Sequence, residues 1–250
     1  MIKNIKFAVG MALVAASQLA TADVAEVKVS DVSLSVSGGS WWYYLPVDVT
    51  WAPQSAGTSV GLDNPSFLDS ATFWHGYAGS SSVVDGASQA IASITTKNPA
   101  DLNGVAAQAK VDVSGSQSGW SFANVINNQI LVATGATITV SLKLDSMLAQ
   151  GTQSQGNAYI ELCGTDFTTD TCLPANYAEA VVFGDSAYSG PSSITASWTN
   201  TSATDNLWAR IRIGVTASAQ SIATPVPEPT TYALWLAGLA GIGLYRRRKA

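Results

Sequence analysis

The chain reads as an all-β protein, an antiparallel β-sandwich of jelly-roll type between two terminal segments. Three observations carry that reading. Apolar residues alternate with polar ones at a period of two in several runs, as in Thr137–Leu144 (TITVSLKL) and Leu207–Val215 (LWARIRIGV). Clusters of Gly, Asn, Asp, Ser and Pro separate the runs at short intervals. Helical periodicity is hard to find between residues 23 and 225.

The amino terminus sets the compartment. Lys3 and Lys6 precede an uncharged stretch, FAVGMALVAASQLA, which runs into Ala20-Thr21-Ala22 ahead of Asp23. A charged start, a short apolar middle and an A-x-A site make a secretory signal peptide over residues 1–22, cleaved between Ala22 and Asp23. A core helix or a permanent anchor is the alternative, and the apolar part is short for anchoring.

The β-domain is expected over residues 23–215. In its first strand Val27 and Val29 are followed by Val32, Leu34 and Val36, so the parity flips near Ser30-Asp31 and calls for a bulge or tight turn. In TITVSLKL, Ile138, Val140, Leu142 and Leu144 share one face. In LWARIRIGV, Ala209, Ile211, Ile213 and Val215 do so, and Ile194, Ala196 and Trp198 form a third set. Spacers at 37–40, 62–66, 97–101, 114–119 and 184–193 punctuate these runs. Two stretches, 88–96 (SQAIASITT) and 103–110 (NGVAAQAK), have the length for a short helix. The stretch 216–225 loses the alternation and reads as a linker.

Charge and cysteine content narrow the function classes. Removing 1–22 and 226–250 takes away Glu228 of the 17 acidic residues and 6 of the 12 basic ones, leaving 16 against 6, a net charge of −10. So acidic a body disfavours nucleic acid and anionic lipid as partners. The two cysteines, Cys163 and Cys172, enclose CGTDFTTDTC, and in an oxidising compartment a close pair reads as a disulfide. A redox pair or a metal site is disfavoured, since no CxxC occurs and the single histidine, His75, lies far away in sequence.

Candidate binding and catalytic residues are few. WWYY places Trp41 and Tyr43 on one strand face and Trp42 and Tyr44 on the other. Trp208 shares its face with Arg210 and Arg212. Flat rings beside hydrogen-bond donors suit sugar stacking, although strand aromatics are usually core or cross-strand packing. Trp41, Tyr43, Trp208, Arg210 and Arg212 are therefore the candidate sugar-contacting set. Asp63 with Asp69, or Asp166 with Asp170, offer oxygen ligands for Ca²⁺ but no EF-hand pattern, and no cofactor is expected. Glu161 and Glu179 lie in expected strands and could face one cleft as a glycoside hydrolase's two carboxylates, but a solvated strand-face charge is the commoner fate. No G-x-S-x-G or HExxH surrounds any residue, so no catalytic activity is expected.

The carboxyl terminus carries a second address. Pro227 and Pro229 flank Glu228 and hold an extended segment. Tyr232–Tyr245 follows as an uncharged run of 14 residues, which as a helix spans about 21 Å at ~1.5 Å per residue against a hydrocarbon core of ~30 Å. Arg246-Arg247-Arg248-Lys249 closes it, and basic residues after a helix stay cytoplasmic. Both ends thus place the body outside and the tail inside. Ala233, Ala237 and Gly241 give the helix a small-residue stripe suited to close helix contact.

Val226-Pro227-Glu228-Pro229, the short apolar helix and the basic cluster together resemble the PEP-CTERM sorting signal, over residues 226–250 alone. The resemblance implies export by a Gram-negative, exopolysaccharide-making cell and processing near the Pro-Glu-Pro motif by a membrane-embedded exosortase. It further implies transient inner-membrane anchoring, then delivery to the cell surface or extracellular matrix. It does not identify the body. A structural or adhesive matrix component is the function expected, with extracellular polysaccharide as its partner, and a carbohydrate-binding module is the alternative.

Overall fold

The computed structural model of the protein describes residues 22–39, 41–43, 55–63, 68–74, 78–96, 102–165 and 173–221. Residues 21–221 make one compact unit; the other unit, made of residues 1–20 and 222–250, lies outside the described residues.

Fourteen strands follow in order: β1 (Asp23–Ser37), β2 (Trp41–Tyr43), β3 (Ser55–Leu62), β4 (Leu68–Trp74), β5 (Gly79–Asp85), β6 (Ser88–Thr95) and β7 (Ala106–Val113). Then come β8 (Ser118–Val132), β9 (Thr137–Gln150), β10 (Gln155–Thr165), β11 (Leu173–Phe183), β12 (Ser186–Ala187), β13 (Ser193–Thr199) and β14 (Leu207–Gln220). They form two antiparallel seven-stranded sheets. Sheet A runs β12-β9-β1-β7-β6-β5, with β13 beside β12 on the edge of β9. Sheet B runs β11-β10-β14-β8-β3-β4, with β2 beside β3 on β8.

Both sheets turn their apolar parity to one shared core, giving a sandwich-like all-β fold. Val27 and Ala109 from sheet A meet Ile160 and Ile213 from sheet B in a single buried cluster. The alternation expected in TITVSLKL, LWARIRIGV and ITASW is observed, with Ile138, Val140, Ile211, Ile213 and Ile194 all buried. Buried hydroxyls tie the layers as well. Thr58 Oγ1 of β3 lies 2.8 Å from Ser81 Oγ of β5, and Ser121 of β8 donates to the Ile91 carbonyl of β6. Each polar group so buried keeps a partner.

The parity flip in β1 is a bulge. Register with β9 shifts at Lys28/Val29 and again between Ser30 and Ser33, and Asp31 sits at a φ of 50°. The strand continues through it and stays buried on one side, at Val32.

β7, β8, β9 and β10 alternate between the sheets through three four-residue corners, 114–117, 133–136 and 151–154. Each corner holds a left-handed glycine, at 115, 135 and 151. In other places the chain turns within one sheet, as in the meander β5–β6–β7 and the hairpin β10–β11.

The two stretches given room for a helix are strands. Residues 88–96 contain β6, and 103–110 lead into β7. Ala90, Ala92 and Ile94, then Ala107, Ala109, Val111 and Val113, are buried at a period of two. Alanine and glutamine blunted the contrast between faces, and pairing with neighbouring strands overrode their helix propensity. Strand structure also reaches past residue 215. β14 extends to Gln220, paired with β8 and β10, so 216–220 is strand rather than linker. Ala alternating with Ser or Gln keeps the parity there, with Ala217 and Ala219 buried. The rest of that stretch, 222–225, lies outside the described residues.

Side chains from the opposite layer cap both edges of sheet A. Asp69 of β4 accepts the Ser82 N–H of β5 at 3.0 Å, and Asn176 of β11 donates to the Ser197 carbonyl of β13. Each contact occupies one edge group that an added strand would otherwise pair with.

Candidate functional site

The residues singled out from the sequence fall unevenly on this frame. Trp208, Arg210 and Arg212 lie on β14, on the outward face of sheet B. Glu161 of β10 and Glu179 of β11 share that face. Trp41 and Tyr43 belong to β2, in register with Val132 and Ile130 of β8. Tyr44, His75, Asp166, Asp170 and Cys172 lie outside the described residues, as do the expected cleavage segment before Ala22 and the tail 226–250.

Register builds the site row by row. Glu179, Tyr159, Gly214 and Asn124 stand side by side across β11, β10, β14 and β8. The next row holds Tyr177, Glu161, Arg212 and Ile126. Arg212 Nη1 donates to Glu161 Oε2 at 3.1 Å, a half-buried ion pair. The Tyr177 hydroxyl donates to Glu179 Oε2, also at 3.1 Å. Tyr159 and Tyr177 stack with ring centroids 6.0 Å apart and planes 24° from parallel, an arrangement aromatic pairs favour.

Gly214 makes this packing possible. A Cβ there would come within 2.4 Å of the Tyr159 ring, so the ring lies over bare backbone. The same device recurs at Gly61, where Trp120 and Leu68 converge on the space a side chain would fill.

Burial pushes the Tyr159 hydroxyl above its ordinary range; Arg212 pulls back, while Tyr177 and Glu161 add to the rise. Tyr177 is raised by burial first and then by its bond to Glu179, with Asn157 opposing. Both phenols remain protonated donors at neutral pH. Asn157 Oδ1 and Arg212 Nε are covered yet find no hydrogen-bond partner among the described residues.

Exposed apolar area gathers on the same side. Tyr177 (53 % exposed), Trp120 (43 %), Phe183 (62 %) and Leu68 (58 %) all face outward from sheet B, and among the described residues Val84 is the one large exposed hydrophobic on sheet A. Sequence reasoning named Trp208, Arg210 and Arg212 from one strand and missed Tyr159, Tyr177 and Trp120. Their own strands alternate, but which strand lies beside which is a long-range fact.

Of the two candidate calcium pairs, Asp166 and Asp170 lie outside the described residues, and the other is engaged within the fold. Asp63 accepts the Ser118 N–H at 2.6 Å and its hydroxyl, and Asp69 is taken up in the edge cap. No group of three or more His, Cys, Asp or Glu fit to hold a metal occurs among the described residues. Cys163, in register with Arg210, is fully buried, and no described cysteine is a free thiol. No described helix is long and apolar enough to cross a membrane.

Comparison with known families places one feature. Residues 225–249 match the model of the PEP-CTERM protein-sorting motif. No curated protein matches the chain.

Proposed function

We propose that this protein is a non-catalytic structural or adhesive component of the cell surface or extracellular matrix, delivered there by its C-terminal signal. The premise is that the chain carries the PEP-CTERM sorting motif at residues 225–249, which implies export, transient membrane anchoring and processing by exosortase, a membrane enzyme. That motif is the observation that carries the reading. The acidic body supports it, since it disfavours nucleic acid and anionic lipid. The engagement of Glu161 by Arg212 and of Glu179 by Tyr177 favours a binding over a hydrolytic role for that face. We take Cys163 and Cys172 as a disulfide, a closure that contributes on the order of 2–3 kcal/mol.

Intact mass of the protein from surface and culture fractions of its native cell tests this. The expected mass begins at Asp23 and ends within 226–229. A mass ending at Ala250, confined to the inner membrane, overturns it.

A second reading is favoured by a specific observation: the outward face of sheet B gathers the stacked Tyr159 and Tyr177, the Arg212–Glu161 pair and exposed Trp120. Rings with adjacent donors and acceptors suit a neutral polysaccharide. Retardation in gels cast with neutral glucans or mannans tests it, and unchanged mobility on every one rejects it.

A further inference from the structure

β1 starts at Asp23, directly after the exposed Ala22, and Asp23 is itself buried at 8 % exposure. Its side chain shares the inward parity of Ala25 and Val27 at one end of the sandwich. There it meets the corner 151–154. A Cβ on Gly151 would fall 2.1 Å from Asp23 Oδ1, so the carboxylate sits against bare backbone, at a glycine whose φ is 94°. Asp185 Oδ1 accepts the N–H of the same glycine at 2.7 Å. The Asp185 turn is pinned in turn, since the Gly184 N–H donates to the Ser154 carbonyl at 2.9 Å. Two carboxylates from distant parts of the chain therefore meet at one residue, beside the first residue of the fold.

We propose that this acidic pair is the seat of the mature protein's own α-ammonium group. The proposal rests on cleavage between Ala22 and Asp23. Hydrolysis adds water across that peptide bond, leaving a carboxylate on Ala22 and a protonated amine on Asp23. Before cleavage the nitrogen is a neutral amide, and the two carboxylates repel. After it, a positive charge stands on the residue that carries one carboxylate, held by its register opposite Val113 of β7. Repulsion at that end of the sandwich becomes attraction.

Electrostatics agree with the geometry. Burial pushes the Asp23 carboxyl above its usual range, and Asp185 pushes it further. The other charged groups nearby on β1 and β7, which are Glu26, Lys28, Lys110 and Asp112, occupy the opposite, outward parity. A carboxyl raised in the folded state contributes stability at pH below 3.8 and loses it as pH climbs through the folded value. The uncleaved chain is therefore weakened at this corner at neutral pH, and processing removes the penalty.

The test uses the full chain, exported and processed in a Gram-negative host. The N-terminus is first read by mass spectrometry, and the acylation rate of the α-amine is then followed against pH. The wild-type amine is expected to titrate above the ordinary ~7.7–8.0 and to react roughly three- to ten-fold more slowly at pH 7 than that of Asp185→Asn. Asparagine keeps an acceptor for the Gly151 N–H, so the corner stays closed. A second chain with one Ala inserted between Ala22 and Asp23 moves the amine outward, and its rate is expected to be fast and indifferent to residue 185. Equal rates in wild type and Asp185→Asn overturn the seat while leaving the cleavage reading intact. An N-terminus other than Asp23 overturns both.

Discussion

The two outward faces of the sandwich are built on similar sheets over one core, and they present opposite chemistry. On sheet A the strands β1, β9 and β13 set nine hydroxyls in register. The rows are Ser33, Ser141 and Thr195; Ser35, Thr139 and Ser197; Ser37, Thr137 and Thr199. Three cross-strand pairs lie at 2.8 Å: Ser141 with Thr195, Thr139 with Ser197, and Thr137 with Thr199. On sheet B the same parity holds rings, a guanidinium and carboxylates. An exposed hydroxyl exchanges one water for another partner and gains little. An exposed ring keeps apolar area in water, worth about 25 cal/mol per Å² once covered. Similar sheets thus present one face content with solvent and another with something to gain from a partner.

The largest effect expected breaks the face on sheet B from beneath. Gly214→Val drives a branched side chain into the Tyr159 ring, and either the ring or the strand must move. The expected loss is about 1–3 kcal/mol in urea unfolding, with a change in the near-ultraviolet tyrosine circular dichroism. Ser35→Val on sheet A enters open solvent and is expected to stay within about 0.5 kcal/mol. Equal costs for the two would show that the ring over Gly214 does not pack.

Next in size, Tyr177→Ala removes one ring of the stacked pair and the donor to Glu179. Because the ring is half exposed, a loss of about 0.5–1.5 kcal/mol is expected. If sheet B holds polysaccharide, gel retardation on neutral glycans falls with it. Tyr177→Phe separates the two roles, keeping the ring and losing only the hydroxyl.

How much of this contrast was legible in the sequence depends on the range of the determinants. The hydroxyl face was nearly readable, because Thr137, Thr139 and Ser141 alternate within one strand with Ile138, Val140 and Leu142. The ring face was not, because Tyr159 and Tyr177 belong to different strands and meet only through the β10–β11 register. Alanine-rich β6 and β7 were ambiguous for a related reason: alanine serves a helix or a buried strand alike, and pairing decides. The end of β14 was missed because Ala217 and Ala219 give a faint parity signal. The sorting signal, whose parts are contiguous, was legible in full and matches its motif model. The Asp23–Asp185 corner could not be read, since no local pattern links residues that far apart.

A smaller effect probes the charged end of the sheet A face. Lys143 Nζ lies 3.2 Å from Asp145 Oδ1, with the lysine largely exposed. Burial acts to raise the Asp145 carboxyl, but the Ser30 hydrogen bond, Lys143 and Lys28 outweigh it and hold it below its usual 3.8. A depressed carboxyl contributes stability above pH 3.8 that is lost as pH falls through its folded value. For so exposed a pair the contribution is expected to be at most about 1 kcal/mol. Lys143→Met should therefore lower stability slightly at pH 6 and hardly at all at pH 2, as read by urea midpoints. An equal shift at both would assign the effect to the lysine stem rather than its charge.

The smallest effect is the sharpest test of the contrast. Thr139→Val with Ser197→Ala removes both members of a 2.8 Å hydroxyl pair while keeping the strand shape. Deleting one partner alone strands the other only where water cannot reach, and Ser197 is exposed. The double variant is therefore expected within about 0.5 kcal/mol of wild type, valine's strand preference offsetting the lost bond. Its retardation on neutral glycans should equal that of the wild-type chain. A measured loss well beyond that range would mean the hydroxyl rows act as a coupled network. A loss of glycan retardation without a loss of stability would move the binding surface from sheet B to sheet A and reverse the assignment of the two faces.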